Sequence, residues 1–147
     1  MLKDNLITLF ERDLNKLKDE ILLYKDEKKL WATNKDIKNS SGNLCLHLCG
    51  NLRFLIGAVL GKIDYKRDRN AEFALKNVPR SELVKNVDKT IKAVKESLSK
   101  LNEKDFQKIF PMELIKKDAT TEFILIHLVG HLNYHLGQIN YHRRLIE

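Results

Sequence analysis

The chain has 147 residues, 43% of them apolar and 32% charged, which suits one domain (1–147) with a single core. Its formal charge is +7, from 27 Lys plus Arg against 20 Asp plus Glu, but the lysines alternate with acids in stretches such as KLKDEILLYKDEKK, as solvated helix faces do. No zinc-finger spacing, Walker loop or RNA-recognition signature accompanies that charge, so no nucleic-acid partner is expected. No run reaches the ~18 apolar residues of a membrane span, and the charged N-terminus does not read as a signal peptide, so no membrane partner and a cytoplasmic location are expected.

With two prolines and six glycines, the composition favours long helices. Leu6, Phe10, Leu14, Leu17, Ile21 and Leu22 recur at steps of three and four and predict a first helix from about Lys3 to Leu30, with Trp31 as a packing anchor at its end. The polar segment 32–41 reads as a loop. A second helix starts at one of Asn39, Ser40 or Ser41 as N-cap and runs to about Leu60, where Gly61 is the expected stop. It is apolar almost all round, so it should be deeply buried.

A connection of roughly twenty residues follows, KIDYKRDRNAEFALKNVPR. Its length is unusual for a simple up-down arrangement and suits a crossover from one end of a bundle to the other, with a short helix near Ala71 to Leu75. A third helix follows Ser81 as N-cap, with Leu83, Val87, Ile91, Val94, Leu98 and Leu101 as its stripe. The segment 102–119 reads as irregular, and a fourth helix starts at Asp118 or Thr120. The expected fold is therefore all-α, a four-helix bundle with a long crossover between helices 2 and 3.

Histidines carry the chemistry. His127, His131, His135 and His142 lie on the fourth helix, and His47 lies in the buried second helix. Residues four apart differ by only about 40° around a helix, so His127, His131 and His135 share a face. His127 and His135 are about 12 Å apart along the axis. A single ion therefore takes one neighbouring pair, His127 with His131 or His131 with His135, plus a ligand from elsewhere. His47 is the obvious donor. With Asn43 and Asn51 it forms a polar stripe in an apolar helix, expected to face a polar cavity opposite His131, Tyr134, His135 and Gln138.

Cys45 and Cys49 point away from His47 and read as small buried hydrophobes, badly placed for a disulfide. The remaining histidines of the five read as cavity-lining or surface residues. Arg67 and Arg69 either clamp a substrate carboxylate or form, with Asp68 and Glu72, a salt-bridge cluster that fixes the crossover. Tyr65, Tyr134 and Tyr141 are potential cavity donors, each more readily read as structural.

The string HLVGHLNYHLGQINYHRR resembles the last-helix motif of the DinB-like superfamily, in which two histidines four apart precede Gly-Gln; here these are His131 and His135, with Gly137 and Gln138. NSSGNLCLHLCGNLRFLIGAVLG resembles the second-helix motif, whose histidine corresponds to His47, and KRDRNAEF resembles a segment of one uncharacterised subgroup. The resemblance implies a four-helix bundle and a three-histidine metal site with an open position. It also implies a homodimer, and an S-transferase acting on a low-molecular-weight thiol, such as bacillithiol, and an electrophilic small molecule. Leu136 departs from the basic residue that thiol transferases often carry before Gly-Gln. Zn²⁺ is the first expectation for the metal, with Ni²⁺ or Fe²⁺ also suited to imidazole ligands. A thiol in the open position loses its proton readily; water there becomes a nucleophile instead, which gives a hydrolase as the alternative. A non-catalytic metal or small-ligand binding protein is the third reading.

Overall fold

The apolar repeats fold as helices, and the computed structural model, which describes residues 1–147, contains six α-helices and no strand. Helix α1 (Leu2–Leu23) packs on α4 (Arg80–Ser99) and α6 (Thr121–Ile146), and α2 (Ser41–Leu52) packs on the same two. The core they enclose is built from fully buried side chains such as Phe10, Leu14, Leu17, Leu48, Leu52, Leu83, Leu98 and Ile124. Burying each such side chain contributes about 1.5–3 kcal/mol, so the interior of this layer fixes how α2 and α6 face each other.

The expected helices differ from the observed ones where tertiary contacts overrule local pattern. Helix α1 stops at Leu23 instead of Leu30, and residues Glu27–Trp31 form a separate 3₁₀ turn. Tyr24 turns extended so that its hydroxyl can reach Ser41 and His142, and the backbone N–H groups of Lys25 and Asp26 donate to the Glu147 carboxylate. Leu22, placed in the stripe by spacing, is half exposed. Trp31 is buried, as an anchor should be.

Ser40 is the cap of α2, its hydroxyl accepting from the Asn43 N–H at 3.2 Å. Beyond Leu52 the helix continues in π geometry over Arg53–Leu60. Gly61 ends it without a left-handed turn, at φ −87°; the positive φ falls on Lys62. Glycine is needed at 61 for closeness, since a Cβ there would lie 2.0 Å from Ser97 Oγ. Ser41–Leu60 is long and apolar enough to cross a membrane, contrary to the sequence expectation, but two thirds of it is buried against its neighbours in this fold.

The crossover holds α3 (Arg69–Ala74), slightly earlier than predicted. Ser81 lies inside the first turn of α4 rather than capping it; the carbonyl of Pro79 accepts from the N–H groups of Glu82 and Leu83. The segment read as irregular contains α5 (Glu103–Gln107), which opens with a reciprocal cap between Asn102 and Asp105. Thr120, not Asp118, caps α6, accepting from the Phe123 N–H at 3.1 Å.

Candidate metal centre

Helix α2 carries His47 and α6 carries His131 and His135, and packing α2 on α6 brings the three rings together. One nitrogen from each lies within 4.8 Å of the others. The rings stand nearly perpendicular to one another. Centroids of His47 and His131 are 5.2 Å apart at 76°, His47 and His135 5.3 Å at 88°, and His131 and His135 4.6 Å at 89°. Of the two pairs that spacing left open, the structure places His131 and His135 against His47. His127 lies beside His131, stacked at 6.3 Å, outside the cluster.

Two of the three rings are oriented by hydrogen bonds through Nδ1. The Nδ1–H of His47 donates to Glu72 Oε1 at 3.0 Å, which leaves the Nε2 lone pair of His47 facing the cluster. The Nδ1–H of His135 donates to Gln138 Oε1 at 2.7 Å, again freeing Nε2. The Nε2 atoms of His47 and His131 are 3.3 Å apart, and Nδ1 of His131 is buried with no partner. Zn–N bonds of ~2.0–2.1 Å in tetrahedral geometry put ligand nitrogens about 3.3 Å from each other. The spacing of that pair and the perpendicular rings fit a divalent ion held by three imidazoles.

The electrostatics suit ligation too. Burial, reinforced by His135, His47 and His127, pushes His131 down to about 4. Burial also lowers His47, with Glu72 pulling the other way. At neutral pH both rings are therefore neutral, the form that donates a lone pair.

Glu72 is the functional residue that sequence reasoning placed only loosely, as a neighbour of the crossover arginines. It is 6% exposed, and Arg67 donates to it twice, Nε to Oε2 at 2.8 Å and Nη2 to Oε1 at 3.0 Å. The Arg67–Glu72 pair is the salt bridge read as one alternative, but it is buried and joined to His47. Arg69 lies one layer out, its guanidinium 5.6 Å from the Phe73 ring, which itself packs 4.9 Å from His47. A sequence signal for Glu72 existed in one place only, a glycine three residues after His47 that leaves room for a neighbour.

The expected polar stripe on α2 divides. Asn43 does not face the cluster: its Nδ2 donates to the carbonyls of Glu72 and Leu75, holding the C-terminal end of α3. Asn51 is buried with its Oδ1 unpartnered. Tyr134 is exposed and its ring lies 5.4 Å from that of His135, at the edge of the cluster, whereas Tyr141 is exposed under Arg144 and Tyr65 packs under Arg53. His142 is buried 118 residues from its partner Tyr24 in sequence, in a separate hydrogen-bonded cluster. Cys45 and Cys49 are buried free thiols.

Fold and site together define an all-helical protein with a three-imidazole cluster close enough to hold a metal ion. Its family follows from nearly the whole chain: residues 4–147 match the family described as Protein of unknown function (DUF1572), and the chain belongs to it. No curated protein matches the chain.

Proposed function

We propose that this chain is a DinB-like four-helix bundle that binds one divalent metal ion, Zn²⁺ first, through His47, His131 and His135, and acts as a metal-dependent S-transferase on a low-molecular-weight thiol. The observation that carries the reading is the set of three mutually perpendicular imidazoles contributed by two helices, with no fourth protein ligand in the group. Three ligands leave a position for substrate, as catalytic sites do, where structural sites close with four. Bound there, the ion would favour the deprotonated form of a thiol or of water.

The protein's own residues supply orientation. Glu72 and Gln138 hold two of the rings by their Nδ1 atoms and turn their Nε2 atoms to a common point. Phe73 packs its apolar ring against His47, 4.9 Å away, which strengthens charge interactions there by excluding water. With Leu136 in place of a basic residue, no charge at that position selects among thiols.

Metal analysis of the purified protein should find about one ion per chain, and His131→Ala should lose it. Thiol conjugation of a model electrophile should then require both the ion and His131. Full metal retention by His131→Ala overturns the assignment. Hydrolysis of model esters without thiol consumption replaces the transferase by a hydrolase on the same site, and metal binding with neither activity replaces it by a binding protein.

A further inference from the structure

We propose that Glu72 is the positioning residue for His47, seated by Gly50 and Arg67, so that the crossover segment sets the affinity of the metal centre. This inference rests on the metal-binding reading above.

The chain delivers this carboxylate to α2 at some cost. A buried carboxylate is unfavourable unless it is paired and hydrogen-bonded. Glu72 is given both, by the two Arg67 donors and by His47. Its backbone is pinned at each end of the six-residue α3. Asp68 accepts from the Ala71 N–H at 3.1 Å, and Asn43 donates to the Glu72 and Leu75 carbonyls at 2.9 and 2.8 Å. Lys76 and Ser40 in turn donate to Asn43 Oδ1, both at 2.7 Å.

Gly50 is the second independent sign. It stands inside α2, where glycine is the poorest helix former apart from proline. A Cβ at that position would lie 1.9 Å from Glu72 Oε2 and 2.7 Å from Glu72 Cδ. The position is open for one neighbour, the carboxyl group that holds His47.

What the contact achieves follows from the chemistry of imidazole. A neutral ring has one donor nitrogen and one lone pair. An ionised carboxylate only accepts, so it places the proton on Nδ1 and leaves Nε2 bare toward His131, 3.3 Å away. Such partners also make the ligand more basic, and losing one typically weakens metal affinity ten- to a hundredfold.

Zn²⁺ titration against a chromophoric chelator should be run on the full-length wild type and on Glu72→Gln, Gly50→Ala and His131→Ala, with ¹⁵N NMR of the histidine rings. Glu72→Gln and Gly50→Ala should each weaken Zn²⁺ ten- to a hundredfold while keeping one ion per chain. In both, the His47 signals should lose the pure Nδ1–H pattern. Gly50→Ala displaces a buried, paired carboxyl group and should lower the apo thermal midpoint, so the deciding readout is the His47 tautomer in the folded apo protein. A merely structural salt bridge would leave that tautomer unchanged. If wild type and His131→Ala differ but both other variants bind as wild type with an unchanged His47 tautomer, the role of Glu72 is refuted and the metal centre stands. If wild type binds no Zn²⁺, the metal reading fails and this inference goes with it.

Discussion

Two of the four imidazoles on helix α6, His131 and His142, look alike in sequence and differ in their surroundings. His142 has both ring nitrogens occupied: Nδ1 accepts from the Tyr24 hydroxyl at 2.6 Å, and Nε2–H donates to the Ala32 carbonyl at 2.8 Å. His131 has one nitrogen facing another imidazole nitrogen and the other facing nothing. Both are polar groups taken out of water, and such groups ordinarily find partners. The satisfied ring is a fastening between α6 and the segment that follows α1, at Tyr24 and Ala32. The other ring touches a protein nitrogen only at its His47-facing side.

That contrast is sharpened most by exchanging the two losses. His131→Ala should abolish Zn²⁺ binding, read by metal analysis, yet shift apo stability by less than about 1 kcal/mol, because no hydrogen bond of its own is broken except the contact to His47. His142→Ala should do the reverse. It strands the Tyr24 hydroxyl and the Ala32 carbonyl and opens a void, costing about 2–4 kcal/mol in denaturant unfolding, with one metal still bound per chain. If either variant lost both properties equally, the division of labour between the two rings would be wrong.

A smaller effect tests the fastening alone. Burial pushes the Tyr24 hydroxyl up to about 12, from an ordinary value of 10.0. The fold thus favours the neutral phenol, and its contribution is complete below pH 10 and is lost as pH rises through about 12. Tyr24→Phe should cost about 1–2 kcal/mol at neutral pH, and the gap between the two proteins should narrow across that alkaline window. The smallest effect is expected at Gly130, where a Cβ meets nothing within 4 Å. Gly130→Ala should stabilise the fold by about 0.5–1 kcal/mol through helix propensity and leave Zn²⁺ affinity unchanged.

Sequence pattern foretold the helices wherever burial and period agree, as in α4 and α6; four-residue spacing narrowed the pair on α6 to His127 with His131 or His131 with His135, and the motif resemblance selected the second. His47 was legible as a polar residue in an apolar run. The boundary of α1 was not, because Tyr24 leaves the helix for Ser41 and His142, partners 17 and 118 residues away. The role of Glu72 was hidden for the same reason: its bond to His47 spans 25 residues across a connection with no period to follow. Asn43 shows the converse. Its place on the same face as His47 was right, but the adjoining surface is α3 rather than a cavity.

His47 and His131 stand 84 residues apart in the chain, so an ion gripped by both would act as a removable staple. It could close only after α2 and α6 had docked, late in folding. Loading should therefore slow unfolding many-fold and scarcely alter the speed of refolding. A chelator would then convert a kinetically long-lived molecule into one that opens, and is cleaved by proteases, far sooner.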